Sequence, residues 1–440
     1  MKCDYFDRGE CRSCTLMGVP RSRQLADKEA RARAALGEGV EWLPTFTGPE
    51  AAFRNKAKMV VGGTSAAPTL GILDRGHRGV DLSECGITSP GLRAAFPAIK
   101  SFIGEAGLVP YDVAARRGEL KHVLVTEAPG GELMARFVLR STESLPRIRK
   151  HLPALRERLP QLSVATANIL AAHVALLEGD EEHVLTPNDA LTMRVGELDL
   201  SLPPRSFFQT NTEVAAGLYA QARAWGDAAL RLAPLAQGPA SPAGLAQGTA
   251  SPAGLAQGAA SPAGLAQGTA SPATLRLAPL AQGPASPPRV PERGVAESKG
   301  GAHEIWDLYC GVGGFALALA APGRRVTGIE SSVEAVAAAN AVGAPGTRFI
   351  AADATEWARD QAAVPDLVVV NPPRRGLGTE LADWLESSGV PTVIYSSCNP
   401  DTLARDLERM PSLRPIQARL FDMFPQTEHL EVMTILERRP

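Results

Sequence analysis

The 440-residue chain is 45% hydrophobic and sets 45 Lys and Arg against 47 Asp and Glu. At roughly 100–200 residues per domain, that is enough for two or three domains with sizeable cores. The near-balanced charge gives none of the basic surplus that usually marks a phosphate-neutralising protein, so composition alone suggests no nucleic-acid partner.

The chain opens on MKCDYFDRGECRSC, a polar stretch unlike a secretory signal, and no apolar run approaches the roughly 18 residues needed to cross a bilayer. A cytoplasmic protein is expected. Its cysteines are Cys3, Cys11, Cys14, Cys85, Cys310 and Cys398. Without an export signal, a disulfide framework is the weaker reading, and ligation or catalysis the stronger. Cys3-x7-Cys11-x2-Cys14, with Cys85 further on, supplies four thiolates, and this spacing suits tetrahedral zinc as well as an iron–sulfur cluster.

Up to about residue 228, strand-like runs (His122–Glu127, Leu133–Leu139, Met193–Leu200) mix with helical stretches such as Leu152–Leu159, which indicates an α+β region. Basic clusters occur at Arg116, Arg117 and Lys121, and at Arg147, Arg149, Lys150, Arg156 and Arg158. A basic run on a helix is more often a solvated face than an RNA contact. Residues 229–300 differ in kind. LAQG recurs from Leu235, Leu245, Leu255, Leu265 and Leu280 in a background of Pro, Ala, Gly and Ser. Such units bury too little apolar surface to offset chain entropy, so a disordered insertion without chemistry is expected.

From Gly301 the pattern becomes alternating α/β. Strands are predicted at Glu304–Tyr309, Arg325–Ile329, Arg348–Ala351, Asp366–Val370 and Thr392–Tyr395, with a last strand at Glu431–Leu436. Helices at Phe315–Ala321 and Ser332–Ala341 lie between, the signature of a parallel sheet covered on both faces.

Four segments carry candidate chemistry. Asp307-Leu-Tyr-Cys-Gly-Val-Gly-Gly-Phe315 is a Gly-rich turn between strand and helix, and Glu330 ends the next strand, where a carboxylate can accept from ribose hydroxyls. The turn lacks full dinucleotide glycine spacing, which weighs against a nicotinamide cofactor. Tyr309 is either a core aromatic or a platform for an adenosyl group. Asn371-Pro-Pro-Arg374 stops the fourth strand and fixes a polar side chain at its mouth; an amine methyltransferase would show an aromatic where Arg374 stands. Cys398, in Ser396-Ser-Cys-Asn-Pro400, sits at a carboxyl strand end among polar neighbours, a setting for a reactive thiolate. Finally, Glu428, His429 and Glu431 crowd a turn entering the last strand, and one of them is a candidate general base.

A nucleophile, a base and a methyl-donor turn are what methylation of uracil C5 requires, because C5 becomes nucleophilic only after a thiolate adds to C6. Phe207-Phe-Gln-Thr-Asn211, Asp307–Phe315, Asn371–Arg374, Ser396–Pro400 and Phe424–Glu431 together resemble the RNA uridine-C5 methyltransferase family over most of the chain outside 229–300. The resemblance implies a class I (Rossmann-like) S-adenosylmethionine (SAM)-dependent α/β methyltransferase domain over 206–440, interrupted by the insertion. It also implies a central RNA-recognising α+β domain over 40–205, with a cysteine region over 1–90 that forms part of it. By the same resemblance Cys398 is the nucleophile, Glu431 the base, and Gln209, Tyr309, Glu330 and Asn371 contact SAM.

The N-terminus is similar to one branch, the 23S rRNA (uracil-747-C5)-methyltransferases, in which Cys3, Cys11, Cys14 and Cys85 would hold a [4Fe–4S] cluster. The spacing differs from the C-x3-C-x2-C of radical-SAM enzymes. Relatives acting on other rRNA or tRNA uridines often carry a small β-barrel RNA-binding domain first, whereas none fits before Cys3 here, which favours the same branch. The expected partner is 23S rRNA, with no obligate protein partner and a monomeric state. The main rivals are the same chemistry on another rRNA or tRNA uridine, a SAM-fold RNA-binding module without catalysis, and cytosine-C5 methylation. The last is disfavoured because its Pro-Cys belongs on the fourth strand, where Asn371-Pro-Pro stands. One departure from the family pattern is Gln426, where His commonly follows Phe-Pro.

Overall fold

The computed structural model describes residues 1–232 and 302–439. From residue 233 on, the expected repeat insertion lies outside the described residues, and the preceding helix, Thr212–Leu232, runs past the 229 boundary.

From His303 onward, short apolar runs bounded by Gly, Pro and Asp become strands. Leu367–Val370 is buried throughout, as expected of a parallel strand covered on both faces. The parallel neighbours run Thr347–Ala351, Arg324–Glu330, His303–Leu308, Leu367–Val370, Thr392–Ser397. Glu431–Arg438 then pairs antiparallel with Thr392–Ser397, and Leu413–Phe421 antiparallel with Glu431–Arg438. Glu41–Trp42 adds a parallel edge, completing an eight-stranded sheet. The winding reverses between His303–Leu308 and Leu367–Val370, and the diverging connections open a crevice at the carboxyl ends of the strands. Both faces are closed by apolar packing, one around Ile305, Leu319 and Val369, the other around Trp306, Leu381 and Leu403.

The strands predicted from Glu304 onward are present within a residue or two of their expected ends, as are the helices Gly314–Leu319 and Val333–Val342. Leu413–Phe421 and the edge strand Glu41–Trp42 were not anticipated.

A second, seven-stranded sheet lies in the N-terminal half. Its order is Gly79–Asp81, Pro68–Leu73, Lys56–Gly63, Leu120–Glu127, Leu133–Leu139, Leu162–Ile169, Glu181–Val184. All pairs are antiparallel except Leu133–Leu139 with Leu162–Ile169, which the helix Leu145–Arg158 joins as a crossover. That helix and Pro90–Glu105 bury Phe96, Phe102, Ile148 and Leu155 against Phe137, at about 1.5–3 kcal/mol for each large apolar side chain. The run Met193–Leu200 is not one strand. It folds into a hairpin, Leu191–Val195 with Leu198–Leu202, around Gly196 at φ +62°. No helix among the described residues is long and apolar enough to cross a membrane.

Candidate active site

Glycine makes the first wall of the crevice. Gly313 has φ +89°, and a Cβ there would meet the Phe349 ring at 2.8 Å; one on Gly314 would meet Tyr219 at 2.3 Å. The chain can therefore turn tightly from strand to helix, leaving open space over Gly311. Beneath the turn, Ala316 N–H donates to Asp307 Oδ2 at 2.8 Å, while Oδ1 has no partner among the described residues. Burial pushes the Asp307 carboxyl up to about 8, with the nearby Glu330 charge adding to the effect. Glu330, one strand over, accepts from the N–H groups of Gly311 at 3.2 Å and Ser332 at 3.0 Å, which fixes its carboxylate at the crevice edge.

The second wall follows from strand register. Ser397 pairs with Val432 and Ser396 with Met433, the last pairs of this antiparallel ladder, and Cys398 and Glu431 directly adjoin Ser397 and Val432 and both line the cleft. Asn399 then caps the helix Pro400–Arg409, its side-chain oxygen accepting from Asp401 N–H at 3.1 Å, and this ends the strand at the cysteine. Ser396 Oγ donates to Glu431 Oε1 at 2.6 Å. Burial raises Glu431 to about 7, partly opposed by that hydrogen bond. Burial also raises the Cys398 thiol, and the Glu431 charge raises it further, whereas Arg374 acts the other way by charge and hydrogen bond. A half-ionised buried carboxyl beside a thiol with an adjacent guanidinium can run acid–base chemistry near neutral pH.

These walls enclose one cleft of about 570 Å³, a size typical of small-molecule sites. Gln209, Tyr309, Glu330, Asn371, Cys398 and Glu431 all line it. Tyr309 stands at φ +67°, an uncommon conformation for a bulky residue, directly after the strand. Glu428 and His429 are exposed on the turn, and neither lines the cleft. Sequence reasoning gave no separate role to Arg374 and Phe424, which line the cleft, or to Ser396 and Asp307, which bond to Glu431 and beneath the glycine turn respectively; a hydroxyl two residues before a cysteine carries no pattern of its own.

Cys3, Cys11, Cys14 and Cys85 are half-buried. Burial raises Cys14 to about 11, with Cys85, Cys11 and Cys3 adding to the rise and Arg54 opposing it. Cys85 is raised by burial too, with contributions from Cys11 and Cys3. The four thiols thus share one neighbourhood, although among the described residues no three His, Cys or acidic side chains are drawn up as a metal cradle. Of the basic clusters, Lys121 is buried and donates to Ala172 O at 2.7 Å, and Arg147 and Arg158 pair with Glu143 and Glu105. Arg116, Arg117, Arg149, Lys150 and Arg156 are exposed.

Residues 361–439 match the family model described as tRNA (Uracil-5-)-methyltransferase. The chain is 41% identical, over 100% of both sequences, to the 23S rRNA (uracil(747)-C(5))-methyltransferase RlmC of Cronobacter sakazakii, and 40% identical over the same full coverage to that of Yersinia pseudotuberculosis. In fold it is similar to Pyrococcus abyssi tRNA (uracil-54, C5)-methyltransferase, solved with S-adenosyl-L-homocysteine, with a TM-score of 0.65 at 22% identity, covering 96% of this chain and 85% of that one. Full-length identity at this level is evidence of shared family and not of shared fold alone: the chain belongs to the RNA uracil-C5-methyltransferases.

Proposed function

We propose that this chain uses SAM to methylate C5 of a uridine in 23S rRNA, at the position its relatives are named for, 747, with Cys398 as nucleophile and Glu431 as base. The observation that carries this is that Cys398 and Glu431 line one cleft together with Gln209, Tyr309, Glu330 and Asn371. SAM supplies an electrophilic methyl group on sulfonium sulfur. Glu330 would accept from its ribose hydroxyls, Tyr309 would pack against its adenosyl ring, and Gln209 and Asn371 would hold its polar atoms.

Cys398 adds as thiolate to uracil C6, and the C5–C6 π electrons move into an enolate. The enolate's electrons at C5 would then form the C5–CH3 bond as the S–CH3 bond breaks, its electron pair staying on sulfur and S-adenosylhomocysteine leaving. Glu431 removes the C5 proton, the C5–H electrons restore the double bond, and the C6–Sγ bond breaks to return the thiolate. Arg374 favours the charged thiolate at the start and end of this cycle. A carboxyl at about 7 is ionised often enough to accept the proton at neutral pH.

Cys3, Cys11, Cys14 and Cys85 would hold a [4Fe–4S] cluster. Supporting this are the shared neighbourhood of four soft donors and the Arg54 charge facing Cys14 and Cys85, which suits an anionic thiolate set. The cluster would fix the N-terminal segment and take no part in methyl transfer.

The test is transfer of labelled methyl from SAM to unmodified 23S rRNA fragments, with product nucleosides identified by mass. Wild type is expected to give 5-methyluridine at the 747 loop, and Cys398→Ala to lose at least about 10³-fold in turnover. Transfer to tRNA or another rRNA segment instead would overturn the substrate, and undiminished activity in Cys398→Ala would overturn the mechanism.

A further inference from the structure

The segment Asp422–Leu430, which links Leu413–Phe421 to the strand opened by Glu431, is held by an element far away in sequence, the helix Arg21–Leu36. Arg21, Gln24, Lys28 and Arg31 are spaced three, four and three residues apart, so they share one face of that helix. Gln24, Lys28 and Arg31 donate hydrogen bonds to the segment, and Arg21 forms an ion pair with it. Arg21 and Lys28 both meet the Asp422 carboxylate, Lys28 at 2.6 Å, and Lys28 also donates to Phe424 O at 3.0 Å. Gln24 Nε2 donates to Gln426 Oε1 at 3.0 Å, and Arg31 donates to Glu428 O at 2.8 Å.

The acceptors thus fall on residues 422, 424, 426 and 428, every second position. The segment is made of turns and bends, and the pairs do not advance in step with the helix: Gln24 reaches Gln426, beyond the Asp422 and Phe424 that Lys28 holds one turn later, so the helix face gathers a folded loop.

Gln426 is the tightest stitch. It lies at φ +66° and is buried. Its N–H donates to Gln24 Oε1 at 3.1 Å, its side-chain amide donates to Glu50 Oε2 at 3.1 Å, and its carbonyl accepts from Leu16 N–H at 3.0 Å. Leu16 lies two residues beyond Cys14. Gln24 and Lys28 are 1% and 2% exposed, a high desolvation cost for an amide and an ammonium on a helix whose Ala32 and Leu36 already pack on the large sheet. Anchoring the helix alone does not call for them.

We propose that Gln24 and Lys28 are positioning residues for the base: they hold the segment so that Glu431 stays aligned on the C5 proton of the adduct. The inference rests on Glu431 being that base. Addition of Cys398 and methyl transfer need only the thiolate and SAM, whereas release of product needs the base in place. Loss of the clamp is therefore expected to slow release selectively.

The experiment incubates full-length protein with methyl-labelled SAM and an unmodified 23S rRNA fragment, follows the covalent protein–RNA adduct on denaturing gels, and measures SAM affinity and thermal unfolding in parallel. Gln24→Ala and Lys28→Met are expected to form labelled adduct at the wild-type rate with SAM affinity intact, and to release it roughly tenfold more slowly. In Gln24→Ala/Gln426→Ala, release is expected to be slowed no further than in either single variant, because both remove one shared pair; this cycle decides the matter should Lys28→Met fail to fold. Release at the wild-type rate overturns the clamp. So does a parallel fall in adduct formation, SAM affinity and unfolding temperature, which marks a purely structural role. Glu431→Gln separates the two ideas. If it releases adduct normally, the base assignment fails; if it traps adduct while the helix variants do not slow release, the clamp alone fails.

Discussion

Glu182 and Glu431 are both acids held in sheets, and their surroundings differ in every respect that matters. Glu182, at the edge of the seven-stranded sheet, receives Arg136 Nε at 3.0 Å and Nη2 at 2.7 Å, Asn168 Nδ2 at 2.8 Å, and the Thr166 hydroxyl. Burial works to raise its carboxyl, but Arg136, Thr166 and Asn168 together pull it below the usual range. Glu431, facing the cleft of the eight-stranded sheet, has among the described residues one side-chain partner, Ser396, and burial raises it to about 7. A fully paired buried acid is a structural fastening, whereas an under-paired one at a cavity costs stability and gains a proton affinity near neutrality. The contrast separates the sheet that supports from the sheet that reacts, without reference to any relative.

The largest expected effect breaks the supporting side. Arg136 is 1% exposed and also meets Glu178 at 2.5 Å. Arg136→Met is expected to cost about 3–5 kcal/mol by leaving two carboxylates uncompensated. Urea unfolding at pH 7 checks this, and SAM affinity of the folded fraction should stay unchanged.

On the reacting side the sign reverses. Folded Glu431, near 7, lies above its ordinary 4.5, so its stability contribution is whole below about pH 4.5 and is lost as pH rises to about 7. Glu431→Gln removes the ionisable group while keeping an acceptor for Ser396. It is expected to stabilise the fold by roughly 3 kcal/mol at pH 8 and by little at pH 4.5, a difference that melting curves at the two pH values would show. Glu182, with its lowered carboxyl, works in the opposite direction: its contribution is present above its unfolded value and lost as pH falls. Equal melting shifts for Glu431→Gln at both pH values would erase the distinction.

The same contrast explains how much could be read in advance. In the parallel sheet, function sits where apolar runs meet Gly, Pro or Cys, so Tyr309, Glu330, Asn371 and Cys398 stand out at strand ends, and the structure gathers them in one cleft. The choice of Glu431 over Glu428 came from family resemblance; in the structure Glu431 lines the cleft while Glu428 is exposed on the turn. The supporting elements were less legible. Arg21–Leu36 buries a Gln and a Lys against loop carbonyls and an acid, which hydropathy patterning reads as a solvated face. The run Met193–Leu200 alternates well enough for one strand, but Gly196 turns it back on itself, a turn signal outweighed by periodicity. Glu41–Trp42 is two residues long and owes its place to pairing with a strand more than 370 residues away, which no local window can see.

The smallest expected effect tests whether Glu431 is under-paired by degree or in kind. Among the described residues Ser396 Oγ is its one side-chain partner, and it favours the ionised form. Removing a hydrogen bond to a charged group forfeits about 1.5–3 kcal/mol when the charge is present, and each unit of pKa corresponds to about 1.4 kcal/mol. Ser396→Ala should therefore move the rising limb of the turnover–pH profile upward by about one to two units, so that the variant is slow at pH 7 and recovers toward wild type at pH 9. Ser396→Thr, which keeps the hydroxyl, should restore the original limb. If Ser396→Ala lowers turnover equally at all pH values, the hydroxyl orients the carboxylate without setting its proton affinity, and burial alone holds Glu431 near neutrality.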